Sequence, residues 1–125
     1  MNTNTSETLH AWLDRVCSTE SPPDSVVAYN IGLFETDKEE YSAYLIGSDR
    51  FDGTDEDWAC YETFAPSEKY CVLPDTKGLD WSAVEAAVIE AAGTFVNSER
   101  GRTTFLASAR TLTVGFDSGN LQLVR

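Results

Sequence analysis

Basic residues are scarce in this sequence: nine lysines and arginines stand against twenty-one aspartates and glutamates, a net charge of −12. A surface of that sign repels phosphate backbones and anionic lipid, so neither nucleic acid nor a membrane is expected as a partner. Cysteines are few, and Cys17, Cys60 and Cys71 form no C-x-x-C pair. They read as reduced thiols of a cytoplasmic protein rather than a disulfide framework. No apolar run approaches the roughly 18 residues of a membrane span, and Met1 to Thr5 is polar, so no secretory signal is expected. A glycine-rich phosphate loop and an aromatic-basic RNA pattern are both missing. His10 is the one histidine. It lies beside the apolar stripe of an expected helix, with no local nucleophile motif, and reads as surface or edge of core. The expectation is therefore a non-enzyme, with no catalytic residue, cofactor or metal assigned.

What is present suffices for a core. The 125 residues are 42% apolar and 11% aromatic, and a chain of this size buries roughly two thirds of its unfolded surface. One domain spanning residues 1–125 is expected. Asn4 to Cys17 reads as a helix, with Asn4 and Glu7 as a capping box and Leu9, Trp12, Leu13 and Val16 as its apolar stripe. Val26 to Phe34 and Tyr41 to Ile46 read as a hairpin around the charged turn 35–40, with Val27, Tyr29, Ile31 and Leu33 on one face. Trp58 to Phe64 alternates like a strand, and Tyr70 to Leu73 adds a short one. The long helix runs from about 80 to 97, capped at Asp80 with Leu79 and Val84 as a staple. Its stripe is Trp81, Val84, Val88, Ala91, Ala92 and Phe95. Residues 103–109 read as either strand or irregular link. Leu112 to Phe116, a turn at 117–120, and Leu121 with Leu123 form a C-terminal hairpin. The fold class is α+β, an antiparallel sheet with an N-terminal and a long helix.

The charge is not spread evenly. Residues 35–68 hold eleven acids against Lys38 and Arg50 alone, so nine of the net twelve negative charges fall there. Asp49 to Asp57 resembles a calcium loop only superficially, because Arg50 and Phe51 occupy places that oxygen ligands need. The segment reads better as a solvated loop or the rim of a protein interface. Its interleaving of acids with aromatic anchors makes Asp49, Phe51, Asp52, Asp55, Glu56, Asp57 and Trp58 the candidate partner-binding residues, for a basic protein. For Trp58 itself the favoured reading is core, by its alternation with Cys60 and Phe64, with the binding surface as the alternative. Glu62, on the same expected strand face, is a candidate buried acid paired with an arginine such as Arg110. The rival class is a small enzyme or ligand-binding domain with a pocket between sheet and long helix.

Tyr41-Ser42-Ala43-Tyr44-Leu45-Ile46-Gly47-Ser48, then Phe51-Asp52, Asp55, Asp57-Trp58-Ala59-Cys60 and Glu62, resembles a family of small acidic uncharacterised bacterial proteins. The closing stretch from Val114 to Leu121 is similar to that family's ending. Some of its members look like immunity proteins of bacterial toxin systems. The resemblance therefore implies an immunity protein or inhibitor that neutralises a basic toxin, and it brings no catalytic residue.

Overall fold

The computed structural model describes residues 3–74, 76–116 and 120–124. Helix α1 spans Thr3–Thr19, so Asn4 lies inside it rather than capping it. Its stripe of Leu9, Trp12, Leu13 and Val16 is fully buried, as the spacing predicts. The helix is also pinned by polar contacts. Trp12 donates its indole N–H to the Glu68 carbonyl at 2.8 Å, and Arg15 meets the Glu68 carboxylate at 2.6 and 3.0 Å.

Strands β1 (Ala28–Glu35) and β2 (Tyr41–Ser48) pair antiparallel from Ala28 opposite Ser48 to Glu35 opposite Tyr41. Their turn closes with Thr36 N–H on the Glu40 carbonyl at 2.7 Å and carries Glu39 at φ 63°, a left-handed conformation uncommon outside glycine. Strand β3 (Tyr70–Leu73) pairs antiparallel with β2. Helix α2 (Trp81–Asn97) starts after Asp80 as expected. The Asp80 carboxylate takes the Ser82 hydroxyl instead of a backbone N–H, and Leu79 is exposed, so the expected staple does not bury it. Val84, Val88, Ala91, Ala92 and Phe95 face the core, but Trp81 is 56% exposed and stands edge-on to Phe116.

Four expectations are corrected. The sheet is mixed: five strands in the order β3-β2-β1-β4-β5, with β4 (Thr111–Phe116) parallel to β1. Parallel strands need a long crossover rather than a tight turn, and α2 with the helical residues 101–108 supplies it. Residues 103–109, read as strand or link, fall instead on the end of a 3-10 turn (Gly101–Thr103) and on the short helix α3 (Phe105–Ser108). The C-terminal hairpin is reduced to β5 (Gln122–Leu123) against β4, and its expected turn falls largely on residues 117–119, outside the described ones. Fourth, Trp58 to Phe64 is no strand. Residues 56–60 coil into a 3-10 helix because the Asp55 carboxylate caps the Asp57 N–H, and only Phe64 then bridges to Gly47.

Both long helices lie on one face of the sheet. Tyr29, Ile31 and Leu33 of β1, Tyr41, Ala43 and Leu45 of β2, Cys71 and Leu73 of β3, and Leu112 and Val114 of β4 join the helix stripes in one core. Each fully buried aliphatic side chain there contributes roughly 1.5–3 kcal/mol of transfer free energy. Among the described residues, no helix is long and apolar enough to cross a membrane.

The exit of α2 depends on glycine at one place and not at another. A Cβ on Gly101 would lie 1.7 Å from the Phe95 carbonyl oxygen, whereas on Gly93 it would meet only Val124 at 3.9 Å. Gly101→Ala is expected to destabilise by about 1–3 kcal/mol, lowering Tm by several degrees. Gly93→Ala is expected to stabilise by up to about 1 kcal/mol through helix propensity. Thermal melts that move in the same direction for both variants would contradict this account of the helix end.

Candidate functional site

The sheet face turned away from the helices carries the other phase of each strand. Pairing sets Gly32 opposite Tyr44, Phe34 opposite Ser42, Tyr44 opposite Tyr70 and Ser42 opposite Val72. One half of this face is covered by the segment after β2. Ile46, Ser48, Asn30 and Thr113 are buried there, and the Thr113 hydroxyl donates to Asn30 Oδ1 at 2.8 Å. The other half faces solvent, with Tyr70 and Val72 at 56% and 57% exposed.

The covering segment holds the sequence-predicted residues, and it divides them. Trp58 is only 4% exposed and packs edge-to-face with Phe51 at 5.4 Å, so it anchors the segment and offers no side chain to a partner. Phe51 is half-buried under the Arg110 guanidinium, 5.3 Å from its ring centre. Asp49 pairs with Arg50 at 3.1 Å, and Arg50 in turn lies 4.1 Å over the Tyr61 ring. Glu56 accepts the Leu121 N–H at 2.9 Å, tying the 3-10 helix to the C-terminal segment. Asp52, Asp55 and Asp57 are exposed. Asp52 accepts both the N–H and the hydroxyl of Thr54 at 2.8 Å, and these bonds hold its carboxyl below the usual carboxylate range. The Asp52 and Asp55 carboxylates are therefore set in place by local hydrogen bonds. Among the described residues, no group of His, Cys, Asp and Glu is arranged to hold a metal ion.

Glu62 is not the buried acid expected of it. It is exposed and paired with Lys69 at 2.7 Å, while Arg110 is engaged with Phe51. The strand that was to turn Glu62 inward does not form, and the chain there follows the surface. The same change leaves Cys60 exposed, while burial pushes the Cys17 and Cys71 thiols up to about 11. His10 bonds the Ala91 carbonyl at 2.9 Å and meets Phe95 edge-on, at the edge of the core.

Sequence reasoning missed the open half of the sheet. Phe34, Tyr44 and Tyr70 form a triad with ring centres 6.0–6.3 Å apart. Tyr44 lies over Gly32, where a Cβ would come within 2.0 Å of its ring. Lys69 Nζ stands 5.8 Å from the Tyr44 centroid and 5.5 Å from that of Tyr70, and its pKa is raised chiefly by the Glu62 hydrogen bond. Beside the triad is a hollow of about 460 Å³, bounded also by Ile46, Ala59 and Cys60. A second, of about 200 Å³, lies across Tyr44 and Ala59 toward Asn30 and Gly115. The signal for all this was the second alternation phase of β1 and β2, in which Phe34 and Tyr44 are large and Gly32 is small. No known family, curated protein or solved structure matches the chain.

With Glu62 and Lys69 both partly exposed, Glu62→Gln is expected to change stability by less than about 1 kcal/mol. Because Lys69 is raised, its share is present at neutral pH and is lost as pH climbs through the raised value. Denaturant titrations at several pH values check this. A loss of several kcal/mol would restore the buried-acid reading.

Proposed function

We propose that this chain is a cytoplasmic protein-interaction domain that receives a basic partner protein on the sheet face opposite the helices, in the role of an inhibitor or immunity protein of a basic toxin. The observation that carries the reading is the pairing of two surfaces on that face. Exposed Asp52, Asp55 and Asp57 are held on a segment anchored by buried Trp58, and Asp57 shares a hollow with half-buried Tyr44, next to exposed Tyr70. Acids near an interface steer a cationic partner and speed encounter, while aromatic groups supply the desolvated contact that slows release.

The test starts from capture of a basic partner from a lysate of the source organism, at low and moderate salt. D52N/D55N/D57N removes three charges but keeps the side-chain oxygens that accept from Thr54 and Asp57. It is expected to slow association about tenfold at low ionic strength and to flatten its salt dependence. Association rates identical to the parent protein would remove the acidic loop from the interface.

The hollow of about 460 Å³ favours a second reading, a small-ligand domain. Its location differs from the expected one: the space between sheet and α2 is filled by fully buried side chains such as Val84, Val88, Leu112 and Val114. A thermal-shift screen of metabolites discriminates, since a ligand at 100 times its dissociation constant adds about 2.7 kcal/mol. A reproducible shift that Tyr70→Ala abolishes would favour this reading.

A further inference from the structure

We propose that the hollow beside Tyr44 is a socket for an arginine side chain of the basic partner, and that Lys69 holds its place in the free protein. The inference rests on the reading that the partner is a basic protein. Its independent support is that the wall of the hollow already holds a cation. Lys69 Nζ is within 5.8 Å of two ring centres and 2.7 Å from Glu62 Oε1, so ring faces and a carboxylate converge on one positive group.

The wall is built in advance. Phe34, Tyr44 and Tyr70 brace one another through tilted and edge-to-face contacts, and Gly32 lets the Tyr44 ring lie flat on the sheet. Ordering these rings therefore adds little to the cost of binding. The hollow continues past Lys69 toward Ala59 and Cys60, leaving room for a second side chain.

Arginine suits the socket better than lysine does. A guanidinium stacks on a tyrosine while giving a carboxylate two parallel N–H bonds, whereas an ammonium acts as a point charge. It can thus displace Lys69 from Glu62. The protein already sets one guanidinium over a tyrosine, Arg50 on Tyr61 at 4.1 Å. A second copy of this chain is a poor occupant, because each copy carries a net charge of −12.

The probes are the N-acetyl amides of arginine, lysine and uncharged citrulline, titrated into the whole protein and followed by amide NMR. The arginine probe is expected to give saturable shifts in the millimolar range at Phe34, Tyr44, Glu62, Lys69 and Tyr70. The lysine probe should bind at least about threefold more weakly, and citrulline should not saturate. Lys69→Met should tighten the arginine probe by about two- to fivefold, the range that release of an exposed ion pair implies. Tyr70→Ala, at an exposed position, should weaken it. Citrulline binding as well as arginine, shifts confined to Asp52–Asp57, or weaker binding in Lys69→Met would each overturn the socket. Probe binding that survives D52N/D55N/D57N supports the socket whatever becomes of the acidic loop. Partner binding that Tyr70→Ala leaves unchanged, while the triple variant weakens it, overturns the socket and spares the loop.

Discussion

The parallel pairing of β4 with β1, from Ala28 opposite Thr111 to Leu33 opposite Phe116, obliges the chain to travel back across the sheet before β4 can begin. That return is made by the connection from β3 to β4, in which α2 packs against β4, on the far side of β1 from β3. Helix α1 packs beside it on the same face. Its Trp12 indole N–H and Arg15 guanidinium fasten it to Glu68, just ahead of β3. With both long helices committed to one side, the opposite side of the sheet is left to whatever the connection between β2 and β3 can cover.

That connection covers only half. Its cover is built around Trp58, whose burial against the sheet side offsets the entropy of ordering an otherwise polar segment. Carboxylates then do structural work within it: Asp52 and Asp55 close turns, and Glu56 reaches the Leu121 N–H. The uncovered half is paved by Phe34, Tyr44, Tyr70 and Val72. The exposure of Tyr70 and Val72 is a cost that folding alone does not explain, since a solvated sheet face ordinarily alternates to polar residues.

What was legible in the sequence follows the strength of the local signal. The stripe of α1 and the alternation of Tyr29, Ile31 and Leu33 are periodic over several residues, and the structure buries them as the pattern requires. The β1–β2 hairpin was equally plain, because turn chemistry and two β-rich runs agree. The parallel β4 was not readable, because strand direction in a sheet is set by tertiary connection and leaves no mark on a six-residue strand. Trp58 to Phe64 misled for a different reason. Two-residue alternation over so few positions is weaker than a side-chain cap, and Asp55 turned the chain helical. Glu62 and Cys60 moved to the surface as a consequence. The candidate acids were legible as charges, but which of them remain available depends on contacts made at distance, such as Glu56 with Leu121.

The covering segment and the open half of the face act over different ranges, and this is why the proposed binding needs both. Exposed acids are felt out to roughly 8–10 Å at physiological salt and then are screened, so they govern approach and orientation rather than final grip. The aromatic triad acts only at contact, where water is removed and a cation over a ring gains most. Lys69 links the two. By standing over the Tyr44 and Tyr70 rings and pairing with Glu62 in the free protein, it leaves neutral or anionic molecules no vacant carboxylate beside the rings. In the proposed binding, a group that displaces it must supply a positive charge of its own and a geometry that an ammonium lacks. In that binding a lysine held between two rings and Glu62 is a device of selectivity, because its displacement lowers the affinity of every occupant and lowers that of a guanidinium least.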